Sequence, residues 1–155
     1  MLVSEQIIDS IVEDAKSGKI HAEDFFESFP LVQGPLWIYL QEEILPILTP
    51  EEAEYLLFML FIIYKSIERA KTEIKEISLD DFQQAEEANW EKFDTNKSKI
   101  FKAKLDNFFI NYTEEDLLAF IEDMLTLDEE DEITSIGREP VFVICKSLVD
   151  VCIKN

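Results

Sequence analysis

The sequence predicts an all-α protein, a single domain (residues 1–155) of six to eight helices packed around a long apolar helix at about residues 50–75. Three observations lead there. Apolar residues recur at spacings of three and four, the repeat of a helix face. Glycine is scarce, with three residues, and proline modest, with five, so few positions break a helix. Thr/Ser-x-x-Asp/Glu boxes at Thr49, Ser78 and Thr113 mark helix starts. A chain of 155 residues suits one domain and buries roughly 70% of its unfolded surface. With 47% hydrophobic residues and no Ser/Gly-rich linker, it has the material for one core.

The first helix is expected over about Ser4 to Ser17. Ile7, Ile8, Ile11, Val12 and Ala15 form its inner face, and Gly18 stands where a left-handed C-terminal cap belongs. A short second helix runs from about Ala22 to Ser28, punctuated by Pro30 and Gly34-Pro35. Leu36 to Leu45 makes a third, ended near Pro46. Thr49-Pro50-Glu51-Glu52 is the clearest local signal. Thr49 accepts from free N–H groups, Pro50 fills the first helical position, and Glu52 reaches back to the Thr49 N–H. That helix should extend to about Lys75. Its middle, Leu56 to Tyr64, is apolar on every side and is expected to be surrounded. Its last third turns amphipathic, with Glu68 and Lys71, or Arg69 and Glu73, as neighbouring pairs.

Ser78 opens a fifth helix with a thin stripe of Leu79, Phe82, Ala85, Trp90 and Phe93. Ile100 to Tyr112 makes a sixth, with Ile100, Phe101, Leu105, Phe108, Phe109 and Tyr112 inside. Thr113 caps a seventh that carries Leu117, Leu118, Phe120, Ile121, Met124 and Leu125. Asp128 to Glu132 is an unbroken acidic run and reads as a loop. The last segment, Val141 to Ile153, is rich in Val and Ile. Val141, Ile144, Cys145, Leu148, Val151 and Cys152 fit a helical face better than alternation. The three boxes lie 29 and 35 residues apart and their following apolar positions do not superimpose, which argues against a repeat array.

Charge excludes several functions. There are 34 acids against 14 bases, a net charge of −20. Residues 1–48 hold nine acids and two bases, and residues 113–155 hold twelve and three. A direct nucleic-acid binder needs a Lys/Arg excess, and an anionic membrane surface repels such a chain. No apolar run reaches the roughly 20 residues of a membrane span, and the start at Met1 is not a signal peptide. Cys145 and Cys152 would lie about 10.5 Å apart along a helix axis, too far for a disulfide. Unpaired core thiols suit a reducing cytoplasm. Lys97, Lys99, Lys102 and Lys104 cluster, interleaved with Ile100 and Phe101, and intramolecular pairing with carboxylates is expected of them.

Known reactive constellations are incomplete. Asp94-Thr95-Asn96-Lys97-Ser98 resembles the opening of an EF-hand calcium loop, but Lys99 occupies the glycine position and Leu105 the bidentate glutamate position. The single histidine, His21, stands in no Glu-x-x-His motif for a di-iron site and makes no evident dyad with Cys145 or Cys152. A phosphate-cradling glycine loop is absent. No catalytic residue, metal or cofactor is therefore expected. The aromatics Phe25, Phe26, Phe29, Trp37, Tyr39, Phe58 and Phe61 could enclose an apolar ligand but are expected to form ordinary core.

The leading expectation is a non-enzymatic cytoplasmic protein whose acidic surface engages a basic protein, as an immunity-type or nucleic-acid-mimic inhibitor does. The binding residues expected are Asp128, Glu129, Glu130, Asp131 and Glu132, backed by Glu114, Glu115 and Asp116. A helical carrier of an apolar small molecule is the alternative, and acidity that serves solubility alone is the third reading.

Overall fold

In the computed structural model, which describes residues 1–126, 134 and 136–154, Ser4 accepts from the Ile7 N–H and opens α1 (Glu5–Ser17). Gly18 closes that helix at φ 80°, a left-handed position that a side chain would strain. Helix α2 (Ala22–Val32) runs four residues beyond its expected end at Ser28. Pro30 lies in its final turns, and Phe25 and Phe29, one turn apart, are both buried. That apolar burial outweighs the single backbone bond Pro30 cannot donate.

The expected third helix is divided. Helix α3 (Gly34–Tyr39) passes into a wider π turn over Leu40–Ile44 and a tighter 3-10 turn over Leu45–Ile47. Pro46 has no N–H for a regular ladder, and the Leu45 N–H bonds back to the Leu40 carbonyl instead.

Helix α4 (Pro50–Lys71) carries the full capping box. Thr49 Oγ1 accepts from the Glu52 N–H at 3.2 Å, and Glu52 Oε1 accepts from the Thr49 N–H at 2.9 Å. The helix stops four residues before Lys75, at Thr72, whose φ is 78°. The connection beyond it then drops Ile74 and Ile77 into the core. Gln33, fully buried, holds that connection in place. Its Nε2 donates to the Tyr64 hydroxyl and the Lys75 carbonyl, and its Oε1 accepts from the Ile77 N–H at 2.7 Å.

Helix α5 (Leu79–Thr95) starts at Ser78 as expected and buries Phe82, Asn89 and Phe93. Helix α6 (Phe101–Phe109) is shorter than the 100–112 segment. Ile100 occupies its extended N-cap position and is 68% exposed, not inside. Helix α7 (Glu115–Leu125) follows Glu114, and no side chain caps its first turn, so Thr113 does not play the expected part. Helix α8 (Arg138–Lys154) confirms the helical reading of the last segment.

All eight helices belong to one packed body, with no strand among the described residues. Helix α4 lies at its centre but keeps Phe58 on the surface. It shares the centre with α8, which is buried at every position from Val141 to Val149 and is packed by α4, α5 and α7. The expected α4 ion pairs are replaced by others. Lys65 pairs with Glu68, Arg69 with Asp14 of α1, and Lys71 donates to the Cys152 carbonyl of α8.

The N-termini of α4 and α8 are tied together by one carboxylate. Besides its capping bond, Glu52 accepts through Oε2 from the Thr134 N–H (2.8 Å) and hydroxyl (2.7 Å). Thr134 Oγ1 accepts in turn from the Gly137 N–H. A Cβ on Gly137 would overlap the Glu52 carboxylate and push it from these bonds, so the close approach favours glycine there. Burial alone would raise the Glu52 carboxyl, but the bonds from Thr49 and Thr134 together hold it below its ordinary range.

Two predictions follow from these ties. Gln33→Ala leaves the Ile77 N–H without its acceptor and should lower stability by about 2 kcal/mol in urea denaturation. Glu52 has a depressed carboxyl, so its contribution is present above the ordinary carboxylate range and is lost as pH falls through the folded value. The stability difference between wild type and Glu52→Gln should therefore be largest near about pH 6 and shrink below about pH 4. A difference that grows on acidification would contradict the assignment.

Candidate functional site

The acidic residues expected to form the binding surface do not lie together. Asp128–Glu132 fall outside the described residues. Glu114 is 3% exposed and turned inward. Its carboxylate accepts from the Leu2 N–H (2.9 Å) and the Val3 N–H (2.9 Å), anchoring the segment before α1. Glu114 is thus an internal acceptor and not part of the outer surface. The reason is tertiary: Val3 is fully buried, and its N–H needs a partner there. Glu115 is exposed, and Asp116 is partly buried, with Oδ2 accepting from the Glu5 N–H at 2.8 Å.

Asp116 belongs to a small acidic groove between α1 and α7. Glu5 and Asp9 are one turn apart on α1, and Asp116 and Asp123 two turns apart on α7, so each pair shares a helix face. Together with Ile8, Ala119 and Phe120 they line a cleft of about 170 Å³. Among the described residues no Lys or Arg forms an ion pair with any of the four. Glu5, Asp9 and Asp123 were not singled out by sequence. The legible signal was Glu5 and Asp9 at i and i+4, a like-charge spacing that a helix tolerates only at a cost.

A second polar cluster lies on the other side of α8. Lys146 is 6% exposed, and its ammonium donates to both Asp150 oxygens (3.0 and 2.8 Å) and to Asn89 Oδ1 (3.2 Å). Asn89 Nδ2 donates to Ser147 Oγ and Asp150 Oδ2, both at 3.0 Å. The Tyr112 hydroxyl donates to Asp150 Oδ1 at 2.7 Å, and Lys146 Nζ stands 4.4 Å from the Tyr112 ring centroid. Burial pushes the Lys146 ammonium below its ordinary range, against the pull of Asp150. Burial, reinforced by Asp150, pushes the Tyr112 phenol up. Asp150 and Tyr112 border a cleft of about 600 Å³, which Ser78, Asp81 and Lys154 also line. The donors and acceptors of the cluster satisfy one another, so it acts as a clamp joining α5, α8 and the connection after α6. Its sequence trace was Lys146, Ser147 and Asp150 set into an otherwise apolar helix.

The remaining candidates resolve into structure. His21 is the exposed N-cap residue of α2. Asn96 accepts from the Ser98 N–H and donates to the Ala103 carbonyl, so the calcium-like stretch makes a local turn. No group of three or more His, Cys, Asp or Glu side chains among the described residues could hold a metal ion. Cys145 and Cys152 are buried and unpaired, and burial pushes the Cys152 thiol up to about 12. Phe25 packs against Phe26, Phe29, Phe61 and Tyr64, with ring centroids 4.8–5.5 Å apart. Tyr39 meets Phe82 across the core, and Phe58 is 41% exposed. None of Lys97, Lys99, Lys102 and Lys104 forms an ion pair among the described residues, although burial raises the Glu122 carboxyl and Lys102 pulls it down against that rise. Lys104 stands instead over the Phe93 ring, 4.5 Å from its centroid.

Comparison with protein-family models, curated proteins and solved structures finds no match to the chain.

Removing Asp150 would leave the Lys146 ammonium buried and uncompensated. Asp150→Ala should lower stability by about 3 kcal/mol in denaturant titration, while Lys146→Met with Asp150→Leu should recover most of it. A double variant as weak as the single one would show that the cluster does not act as an ion-pair clamp.

Proposed function

We propose that this protein works without a reaction of its own, by presenting an acidic surface to a basic protein partner. The observation that carries the reading is the uncompensated charge. Of the 34 acidic residues, only Asp14, Glu68 and Asp150 form ion pairs among the described residues. The net charge of −20 is therefore directed mainly at solvent and at whatever docks there. Such a field speeds association with a cationic surface by 10- to 1000-fold at low salt, roughly.

The groove between α1 and α7 sharpens the proposal. Carboxylates of Glu5, Asp9, Asp116 and Asp123 surround the apolar atoms of Ile8, Ala119 and Phe120. A cationic segment with apolar side chains on one face matches that pattern. Glu115 is exposed nearby on α7, and the Asp128–Glu132 run follows in the sequence, outside the described residues. The partner chemistry is that of an immunity-type inhibitor on a cationic toxin, or of a nucleic-acid mimic whose Asp and Glu stand where phosphates would. No described helix is long and apolar enough to cross a membrane. A cytoplasmic location is part of the proposal, supported by two unpaired core thiols.

The test begins with the partner recovered from the native cell by affinity purification and then purified itself. It should be basic. Its association rate should fall about tenfold when Asp128–Glu132 become Asn/Gln or when Asp9 and Asp123 become Asn, and the difference should vanish at high salt. An acidic partner, or a rate insensitive to both sets of changes, would leave the acidity with a solubilising role only.

A further inference from the structure

We infer a second binding site, for a doubly charged oxyanion of the phosphate-monoester type, in the cleft where the start of α8 meets the connection between α5 and α6. The cleft has a volume of about 500 Å³ and is lined by Lys97, Lys99, Lys104 and Arg138, with Phe101, Asp94 and Glu139. Four of the chain's 14 cations thus gather at one place on a strongly acidic molecule.

What sets them apart is their convergence on one cleft, since most of the chain's other cations also form no ion pair among the described residues. Among the described residues, none of the four forms an ion pair. Lys104 faces the Phe93 ring, and the Arg138 guanidinium lies 4.3 Å from the centroid of the Phe101 ring. Arg138 Nε is buried and has no hydrogen-bond partner. A buried charged donor left unsatisfied is costly, and an anion in the cleft would satisfy it once the guanidinium turns from the Phe101 ring. Arg138 also begins α8, a helix of 17 residues, so the positive end of the helix dipole adds to the local field.

The charge balance selects the ligand class. Among the described lining residues, Asp94 and Glu139 offset two of the four cations, which leaves an excess of two. A phosphate monoester carries about −1.5 to −2 at neutral pH, whereas a single carboxylate would neutralise only half of that excess. The distant acidic surface does not forbid the anion, because solvent-exposed charges more than about 8 Å away are largely screened at physiological salt. This inference is independent of the basic-partner reading, since it concerns the opposite charge at another place.

The probe is inorganic phosphate added to the intact ¹⁵N-labelled protein, read on the Arg138 side-chain Nε–Hε signal, which is assigned by its loss in Arg138→Gln. Saturable displacement of that signal by up to about 20 mM phosphate, absent with sodium chloride at equal ionic strength, is expected. Lys97→Gln with Lys99→Gln should weaken the binding about tenfold, as expected for losing charge-assisted contacts, while Lys16→Gln with Lys19→Gln should not. The lysine variants lie in an exposed connection, so they test the site even where Arg138→Gln perturbs packing. A signal that follows ionic strength alone, or binding weakened equally by the Lys16 and Lys19 changes, would overturn the site.

Discussion

Burial of α8 from Val141 to Val149 is the constraint on which the rest of the molecule depends. A helix enclosed from Val141 to Val149 offers no side to water, yet it carries Lys146 and Ser147 inside that stretch and Asp150 at its end. An ammonium taken out of water is tolerable only with a counter-charge and with its donors engaged. Asp150 sits one turn along the same helix and supplies the charge, while Asn89 of α5 and Tyr112 complete the coordination of both. The need to satisfy one buried cation therefore helps to set where α5 and the connection after α6 must lie. Apolar packing around Phe93, Phe101, Phe108 and Phe142 then fills the same layer.

A second set of ties works through backbone groups. Glu52 joins the starts of the two most central helices, and Gln33 joins the end of α2 to the connection after α4. Each is a buried side chain whose acceptors and donors meet backbone atoms far away in sequence. Glu114 does the same for Leu2 and Val3. In an acidic chain such residues are easily taken for surface. Their burial shows that a carboxylate is also a compact double acceptor for N–H groups that no helix ladder can serve.

The charge distribution follows from the same division. Carboxylates that accept internal hydrogen bonds contribute to architecture, and the exposed remainder creates the outer field. Self-repulsion of that remainder acts against compactness, and the large apolar core offsets it. Screening at physiological salt limits each charged group to its neighbourhood. An acidic groove beside α1 and a cationic cleft at the start of α8 can thus coexist on one small body, each with its own local potential.

Periodicity, caps and composition in the chain alone were enough to determine the helical class, the single body and the starts of α1, α4 and α5. Those features rest on contacts within about one helical turn, between Thr49 and Glu52 or Ser4 and Ile7. Local spacing did not determine where α2 and α4 end, that Ile100 is exposed, or that Glu114 faces inward. The helix ends and the turn of Glu114 each depend on a partner dozens of residues away: Phe25 on Phe61, Ile77 on Gln33, Val3 on Glu114. Only the tertiary structure brings such partners together, because burial, and with it the demand that every polar atom be satisfied, arises only when the helices pack.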